Sequence, residues 1–537
     1  MANKNRLSIA ILILFVSFFY FCAEKQHGNI KKNILKIGTT RGGFKSASLL
    51  GDTFLALFAR ISNPPLMTMA KDGKLEGLVT ARHEVSEDCT KWKFYFDPDL
   101  FWSDGTKVTA EDAKFSIKLL AEVVPHARWL HEIINEVYID EDNALVFELE
   151  RPYSRLDFDL TTYNILPKHI WKTIEDPLRH TSNDEMVGCG PFVIEKIDLN
   201  AGLIRFRKNP YWKGFQPELD GIELHLYNNN DVLAFALERG KVDTYYRYAS
   251  SYPYPNIERL KATDEFDFLE EPHYGLRFLG FNLNKKPMSD NHFRKAISYA
   301  IDYEEIIKLD ILGYGEIPSR GFIPPIMPAY KETEELEYDL EKAKCLLAEA
   351  GYIDRNGDGF RETPDARKMK LLILISMDYV RLAELVQDYL EAAGIDAQLK
   401  TVDYNTWISM KDRNNYDLVV SRTSPWGMFM HANWATGYFD ARRTGEGVLH
   451  NVDDPNFLKL CDDILSTKDE EKLIEYASHV QDYYARFLPA VALYWSRTVI
   501  PYQKRFSGWS PNPLFGLYNI QNFLNLQIRG QDTLSFN

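Results

Sequence analysis

Residues 101–113 read Phe101-Trp102-Ser103-Asp104-Gly105-Thr106-Lys107-Val108-Thr109-Ala110-Glu111-Asp112-Ala113. Ser103-Asp104-Gly105 is a turn. Thr109 caps the first turn of a helix, Glu111 and Asp112 favour its positive end, and Ala113, Ile117 and Leu120 follow at helical spacing. Just upstream, Trp92–Phe96 (WKFYF) reads as a strand, and Asp97-Pro98 as the turn that ends it.

Outward from this stretch, strands and helices alternate. Asn33–Thr40, Ala144–Leu149, Ile204–Arg207, Phe278–Leu283 and Tyr416–Ser421 read as strands. Gly51–Ile61 is helical, and Leu233–Glu238 is a helix closing at Gly240. Asn291–Ile307 reads as one helix with Phe293, Ile297 and Ala300 on a face, and Leu340–Ala350 as another, stopped by Gly351. Leu371–Ser376, Val380–Ala393 and Ala397–Val402 form a strand–helix–strand unit. The fold class is α/β with parallel strand pairs.

These segments together resemble bacterial extracellular solute-binding proteins of family 5, the oligopeptide-, dipeptide- and nickel-type receptors of ABC importers. The likeness rests on Trp92-x-Phe94, residues 101–106 and 108–113, Gly188-x-Gly190-Pro191-Phe192 and Asn209-Pro210-Tyr211-Trp212. It continues through Gly280-Phe281-Asn282-Leu283-Asn284, Phe293-Arg294-x-Ala296-Ile297-x-x-Ala300-Ile301-Asp302 and Tyr338–Ala343, and spans roughly residues 35–525 in order. The resemblance implies a two-lobed, periplasmic-binding-protein-like fold of type II, of the large class with an extra subdomain in lobe one. Lobe one is expected to hold residues 35–274 plus 499–537, and lobe two residues 275–498. The lobes would close over a ligand. The motifs themselves read as turns and packing, and so identify a fold more than a site.

In peptide-binding members, the segment after the strand matching Tyr416–Ser421 carries an aspartate for the peptide's amino group. Here Arg422–His431 (RTSPWGMFMH) has no acid before Asp440. Arg422 favours a carboxylate instead, since its fork binds bidentately. The expected solute is a small peptide or another carboxylate-bearing molecule. A metal-chelate receptor of the nickel type, with His431 near the metal, is the alternative, as is an anchored surface protein without a transport role. Trp426, Phe44, Arg128, Tyr494 and Trp495 complete the candidate ligand-binding residues, each with core packing or a solvated surface as its plainer explanation.

Residues 354–365 resemble a calcium loop: Asp354, Asn356 and Asp358 at positions 1, 3 and 5, Phe360 at 7 through its carbonyl, Glu362 at 9 and Asp365 at 12. A shorter Asp stands where Glu usually closes the loop. No cofactor is required by this reading, and a structural calcium is the one metal it raises, with a solvated acidic turn as the alternative.

The chain's 537 residues allow three or four domains. Its 63 Lys+Arg against 77 Asp+Glu, net −14, exclude a broad nucleic-acid surface. Aromatic residues make up 13% of the chain, enough to line a large cleft. An enzyme fits poorly: there is no GxSxG elbow, P-loop or CxxC pair, His131-Glu132-x-x-Asn135 lacks the second His of a zinc motif, and Gly188-x-Gly190 lacks a third glycine.

Lys4 and Arg6 precede an apolar run, Leu7–Phe21, that is short for a membrane span and reads as a signal peptide over residues 1–21. Cys22 stands where a lipoprotein signal is cleaved and acylated, although bulky Phe21 departs from the usual small residue. An uncleaved anchor, or a cut a few residues later, is the alternative. Residues 22–34 serve as a polar tether. The expectation is a periplasmic or cell-surface monomer, touching a membrane only through its N-terminal anchor and delivering solute to an ABC permease in the inner membrane. Cys89, Cys189, Cys345 and Cys461 are expected to be isolated buried thiols.

Overall fold

The computed structural model describes residues 33–181, 186–321, 323, 325, 330–422, 442 and 452–529. Ile34–Thr40 buries Leu35 and Ile37 completely on one face, as strand alternation requires. It pairs in parallel with Gly221–Tyr227 and with Thr244–Tyr245. Leu203–Lys208 and Phe192–Asp198 extend the sheet on one side, antiparallel. On the other side come Ala490–Gln503, Phe266–Phe281, Leu418–Arg422, Leu371–Ser376 and Ala397–Val402. With Gly315–Glu316 this makes an 11-stranded mixed sheet. Its parallel pairs are those of Ile34–Thr40 and of Leu371–Ser376; the rest are antiparallel.

The two long strands join the lobes. Phe266–Glu271 pairs with Thr498–Gln503 beside the first lobe's strands, where Thr244 meets Tyr502. After a register shift between Glu271 and Gly275, Gly275–Gly280 pairs with Ala490–Ser496, and the next strand outward is Leu418–Arg422. Most of the first of these strands escapes sequence reading, which finds only its end near Phe278. Glu270-Glu271-Pro272-His273 is polar and carries a proline, which hides an extended run.

A separate antiparallel sheet, ordered Thr80–Val85, Lys91–Phe96, Leu145–Leu149, Ile134–Ile139, forms the extra subdomain with the helix Ala110–Val123. Trp92, Phe94, Phe147, Ala113, Ile117 and Leu120 make its core; burying each large side chain contributes about 1.5–3 kcal/mol.

The family motifs serve this architecture. Asp104 accepts from the Thr106 backbone and hydroxyl, and Gly105 has φ +89°. Thr109 and Asp112 cap the helix reciprocally. Gly190 packs so closely that a Cβ would lie 2.1 Å from the Ile61 carbonyl oxygen. Asn209 donates to the Gly190 carbonyl and Asn282 to that of Tyr416. Arg294, fully buried, donates to the carbonyls of Met288, Phe487 and Leu488.

Two expectations need correction. The helix expected over Asn291–Ile307 is two, Asn291–Ala300 and Tyr303–Asp310, because Asp302 leaves helical geometry and caps the second by accepting from the Glu305 N–H. Cys345 is exposed: it lies two residues from both buried Ala343 and buried Leu347, on the outer face of Leu340–Glu349. The other three described cysteines are buried. Among the described residues no helix is long and apolar enough to cross a membrane.

Candidate functional site

In open α/β sheets, ligands bind outside the carboxyl ends of the strands. Four such ends converge where the lobes meet. Lobe one contributes Arg41–Phe44, after Ile34–Thr40, and Tyr246–Ala249, after Thr244–Tyr245. Lobe two contributes the turn Met377–Tyr379, after Leu371–Ser376, and Arg422, at the end of its own strand.

Charged side chains bridge the gap. Arg247 of lobe one pairs with Asp378 of lobe two at 2.6 Å. Arg422 of lobe two donates to the carbonyls of Ala249 and Tyr248. Ala249 itself is left-handed, with φ 52°, at the turn that presents these carbonyls. At another edge of the molecule, Ser154 of the subdomain donates from its N–H to the Leu465 carbonyl (2.8 Å) and from its hydroxyl to that of Ile464 (3.1 Å), while Lys468 pairs with Glu87. The lobes are therefore in contact along two edges.

Arg277 stands directly opposite both Arg422 and Tyr494 in the sheet register. Like charges placed across a ladder repel, so this position needs nearby anions. Burial pushes the Asp378 carboxyl up, but Arg247, then Arg422 and Arg277, outweigh it and hold the group below its ordinary range. Asp310 accepts from the Tyr494 hydroxyl at 2.6 Å, and burial raises its carboxyl against that bond and the charge of Arg277. The net pattern is three guanidinium groups, Arg247, Arg277 and Arg422, gathered around one carboxylate of lobe two, with Asp310 behind.

Lobe one's wall is aromatic. Phe44 stacks on Phe58 at 5.4 Å, Phe58 meets Tyr246 and Tyr518 edge-on, and Tyr248 lies 6.1 Å from Phe515. Arg60, at the end of the helix Thr53–Ala59, lies with its guanidinium carbon 3.4 Å from the centroid of the Phe515 ring.

The residues expected from sequence fall into distinct places. Arg422 lies at the junction of the lobes, and Phe44 is half-buried in the adjoining aromatic wall. Arg128 is exposed after the turn Pro125–Ala127 and joins none of these groups. Tyr494 and Trp495 are 2% and 3% exposed; the first spends its hydroxyl on Asp310, and the second packs into the lobe-two core. Trp426, His431 and Cys22 lie outside the described residues. In the acidic loop, Asp354, Asp358 and Glu362 bring carboxylate oxygens within 4.8 Å of one another. Those oxygens already accept from the loop's own Gly357, Gly359, Phe360 and Arg355 N–H groups, and from the Asn356 amide. Phe360 keeps its place in the turn, whereas Asp365 turns aside to Thr363 and Arg367. The loop pattern thus brings three of the expected side chains together and leaves Asp365 outside the group.

Sequence reading passed over Arg60, Arg247, Arg277 and Asp378. A signal was present: Arg60 and Arg277 interrupt apolar runs (LALFARIS and GLRFLGF), and Arg247 sits within Tyr245-Tyr-Arg-Tyr248. A lone cation inside an apolar run must be paired when it is buried.

Comparison with known proteins gives four findings. Residues 74–445 match the family described as "Bacterial extracellular solute-binding proteins, family 5 Middle". The chain is 25% identical over 478 residues to the dipeptide-binding protein of Escherichia coli K12, covering 82% of this chain and 84% of that one. The fold matches the oligopeptide-binding protein AppA of Bacillus subtilis, solved with a nonapeptide, at TM-score 0.79 and 19% identity over 92% of this chain and 98% of that one. It also matches a periplasmic EDTA-binding protein, EppA, at TM-score 0.78 and 21% identity over 93% and 97% of the two chains.

Proposed function

We propose a ligand class on one premise: the chain belongs to the bacterial extracellular solute-binding proteins of family 5 and works as a ligand-binding receptor of the ABC-importer kind. The solute is a small peptide-like or carboxylate-bearing molecule held between the lobes. The observation that carries this reading is the excess of guanidinium at the junction, where Arg247, Arg277 and Arg422 face two carboxylates, Asp378 and Asp310. Partly dehydrated guanidinium groups bind carboxylates bidentately and strongly. The names of two similar proteins, one binding dipeptides and one binding EDTA, belong to the same chemistry: each ligand bears free carboxylates. A metal chelate held through its carboxylates falls within the class.

The family and the sequence support the remaining assignments of this proposal. The lobes divide as residues 35–274 with 499–537, and 275–498. Cys22 carries the lipid that keeps a monomeric receptor at the membrane surface, where an ABC permease takes its solute. The ligand reading is tested by calorimetric titration with free-acid dipeptides and tripeptides, their C-terminal amides, polycarboxylate chelators and neutral sugars. Free acids should bind and amides should not, and Arg422→Gln should weaken binding roughly tenfold or more, as loss of a charge-assisted pair implies. Binding confined to neutral sugars would refute it.

A further inference from the structure

Beside the junction, lobe one holds a buried guanidinium with no carboxylate partner among the described residues and a buried hydroxyl with no hydrogen-bond partner. Arg60 is 6% exposed; its Nε donates to the Leu57 carbonyl at 3.0 Å, and no carboxylate of the described residues pairs with it. The titratable groups around it are the phenols of Tyr246, Tyr248 and Tyr518. Tyr518 is spoken for, donating to the Phe58 carbonyl, but the Tyr246 hydroxyl is buried with no hydrogen-bond partner. Burial pulls the Arg60 guanidinium down to about 10 and pushes the Tyr246 phenol up. At neutral pH both groups therefore keep their protons, and both are donors.

Buried charges are paired and buried hydroxyls are bonded, because desolvation without a partner is unfavourable for both, and far more so for an ion. A cation and a hydroxyl in one aromatic nest, both facing that cost, are the counterpart of an absent oxyanion. The nest adjoins the junction: Phe515, under the Arg60 guanidinium, neighbours Tyr248, whose carbonyl receives Arg422.

We propose that Arg60 and Tyr246 form an anion subsite in lobe one that takes a carboxylate group of the solute, distinct from the Arg247, Arg277 and Arg422 cluster. This assignment rests on the receptor reading of the cleft and adds where lobe one grips its ligand. A guanidinium fork presents two parallel N–H donors to a planar carboxylate, and the Tyr246 hydroxyl supplies a third. Arg60 and Tyr246 both belong to lobe one, so the subsite is complete before the lobes meet.

The test uses the whole protein and minimal probes: sodium acetate, sodium phosphate and sodium chloride at matched ionic strength, read as melting temperature. Acetate should raise the Tm of the wild type by about 2–4 °C over chloride, and Arg60→Met should lose that increment. Tyr246→Phe, which removes one oxygen atom, should reduce it. Without acetate, Arg60→Met should melt at or above the wild-type temperature, since an unpaired buried cation is removed. A structural arginine would behave oppositely, with a Tm several degrees lower and the acetate increment intact; that result overturns the assignment. So does the absence of any acetate increment in the wild type, and a phosphate increment without an acetate one overturns the carboxylate class. If Arg60→Met fails to fold, the subsite is likewise overturned unless Tyr246→Phe folds and shows a reduced acetate increment. Arg422-dependent binding of free acids without an acetate effect would sink this subsite and leave the proposed function standing.

Discussion

Asp378→Asn should loosen the contact between the lobes. Arg247 and Asp378 come from different lobes and meet at 2.6 Å, with side-chain exposures of 27% and 49%. Unit charges about 4 Å apart attract by about 1 kcal/mol in water and about 4 kcal/mol at an effective dielectric constant of about 20. The exposure of both partners places this pair near the lower value, so we take about 1 kcal/mol. An amide keeps the shape and one hydrogen bond but loses the charge. The closed-to-open ratio should therefore fall roughly fivefold. Lobe separation can be read by energy transfer between the exposed thiol of Cys345 and a cysteine introduced at exposed Glu141, with Cys22 replaced by serine. In the wild type, raising salt from about 20 to about 500 mM should mimic the substitution, because screening acts on the same charge; the variant should respond less. The pH dependence has a definite sign. The Asp378 carboxyl is held below its ordinary range in the contact, so its contribution is complete above the ordinary carboxylate pKa and is lost as pH falls through the lowered value. An unchanged transfer signal, with the same salt response in both proteins, would refute the view that this pair holds the lobes together.

Two further outcomes concern charge away from the ligand, one half-buried and one fully buried. Glu271, at the register break between the long strands, is pushed up to about 7 by burial, with Lys71 opposing. Its folded-state pKa is raised, so stability should fall as pH climbs from about 4.5 to about 7. Glu271→Gln should flatten that slope and raise stability at pH 8 by up to about 3 kcal/mol, checked by urea denaturation across pH; an unaltered slope would count against the burial of this carboxyl. Arg294→Met strips the donors from three carbonyls, those of Met288, Phe487 and Leu488. Removing the desolvated cation offsets part of the loss, so about 2–4 kcal/mol should go and the Tm should drop about 4–16 °C; calorimetry showing a drop of under 2 °C would contradict the role assigned to the guanidinium.

What was legible in the sequence was local. The strand–helix–strand unit came within a residue of its observed bounds, Leu371–Ser376, Val380–Ala392 and Ala397–Val402, because hydrophobic period and the terminal Gly394 agree there. Thr109 with Asp112, and Gly105, were readable for the same reason: each satisfies its neighbours' backbone groups. The break at Asp302 was harder, since apolar spacing continues through both helices and only the cap separates them. The junction of the lobes was largely illegible. Arg247, Arg277, Asp378 and Arg422 come from four separate segments, and nothing in any one segment states that the sheet register will set Arg277 beside Arg422. Arg422 was found only through resemblance, while Tyr494 and Trp495, chosen for the same reason, turned inward because successive strand residues face opposite cores.

The ribbon formed by Phe266–Phe281 and Ala490–Gln503 also sets the order in which the chain can be finished. Thr244 in the first lobe finds its neighbour at Tyr502, and Phe266–Glu271 waits for Thr498–Gln503. At about 5–20 residues per second of synthesis, the first half of the chain spends many seconds with that sheet edge open before its partner strand exists. The first lobe can therefore assemble most of its sheet early, but that edge is sealed only when the C-terminal segment has been made.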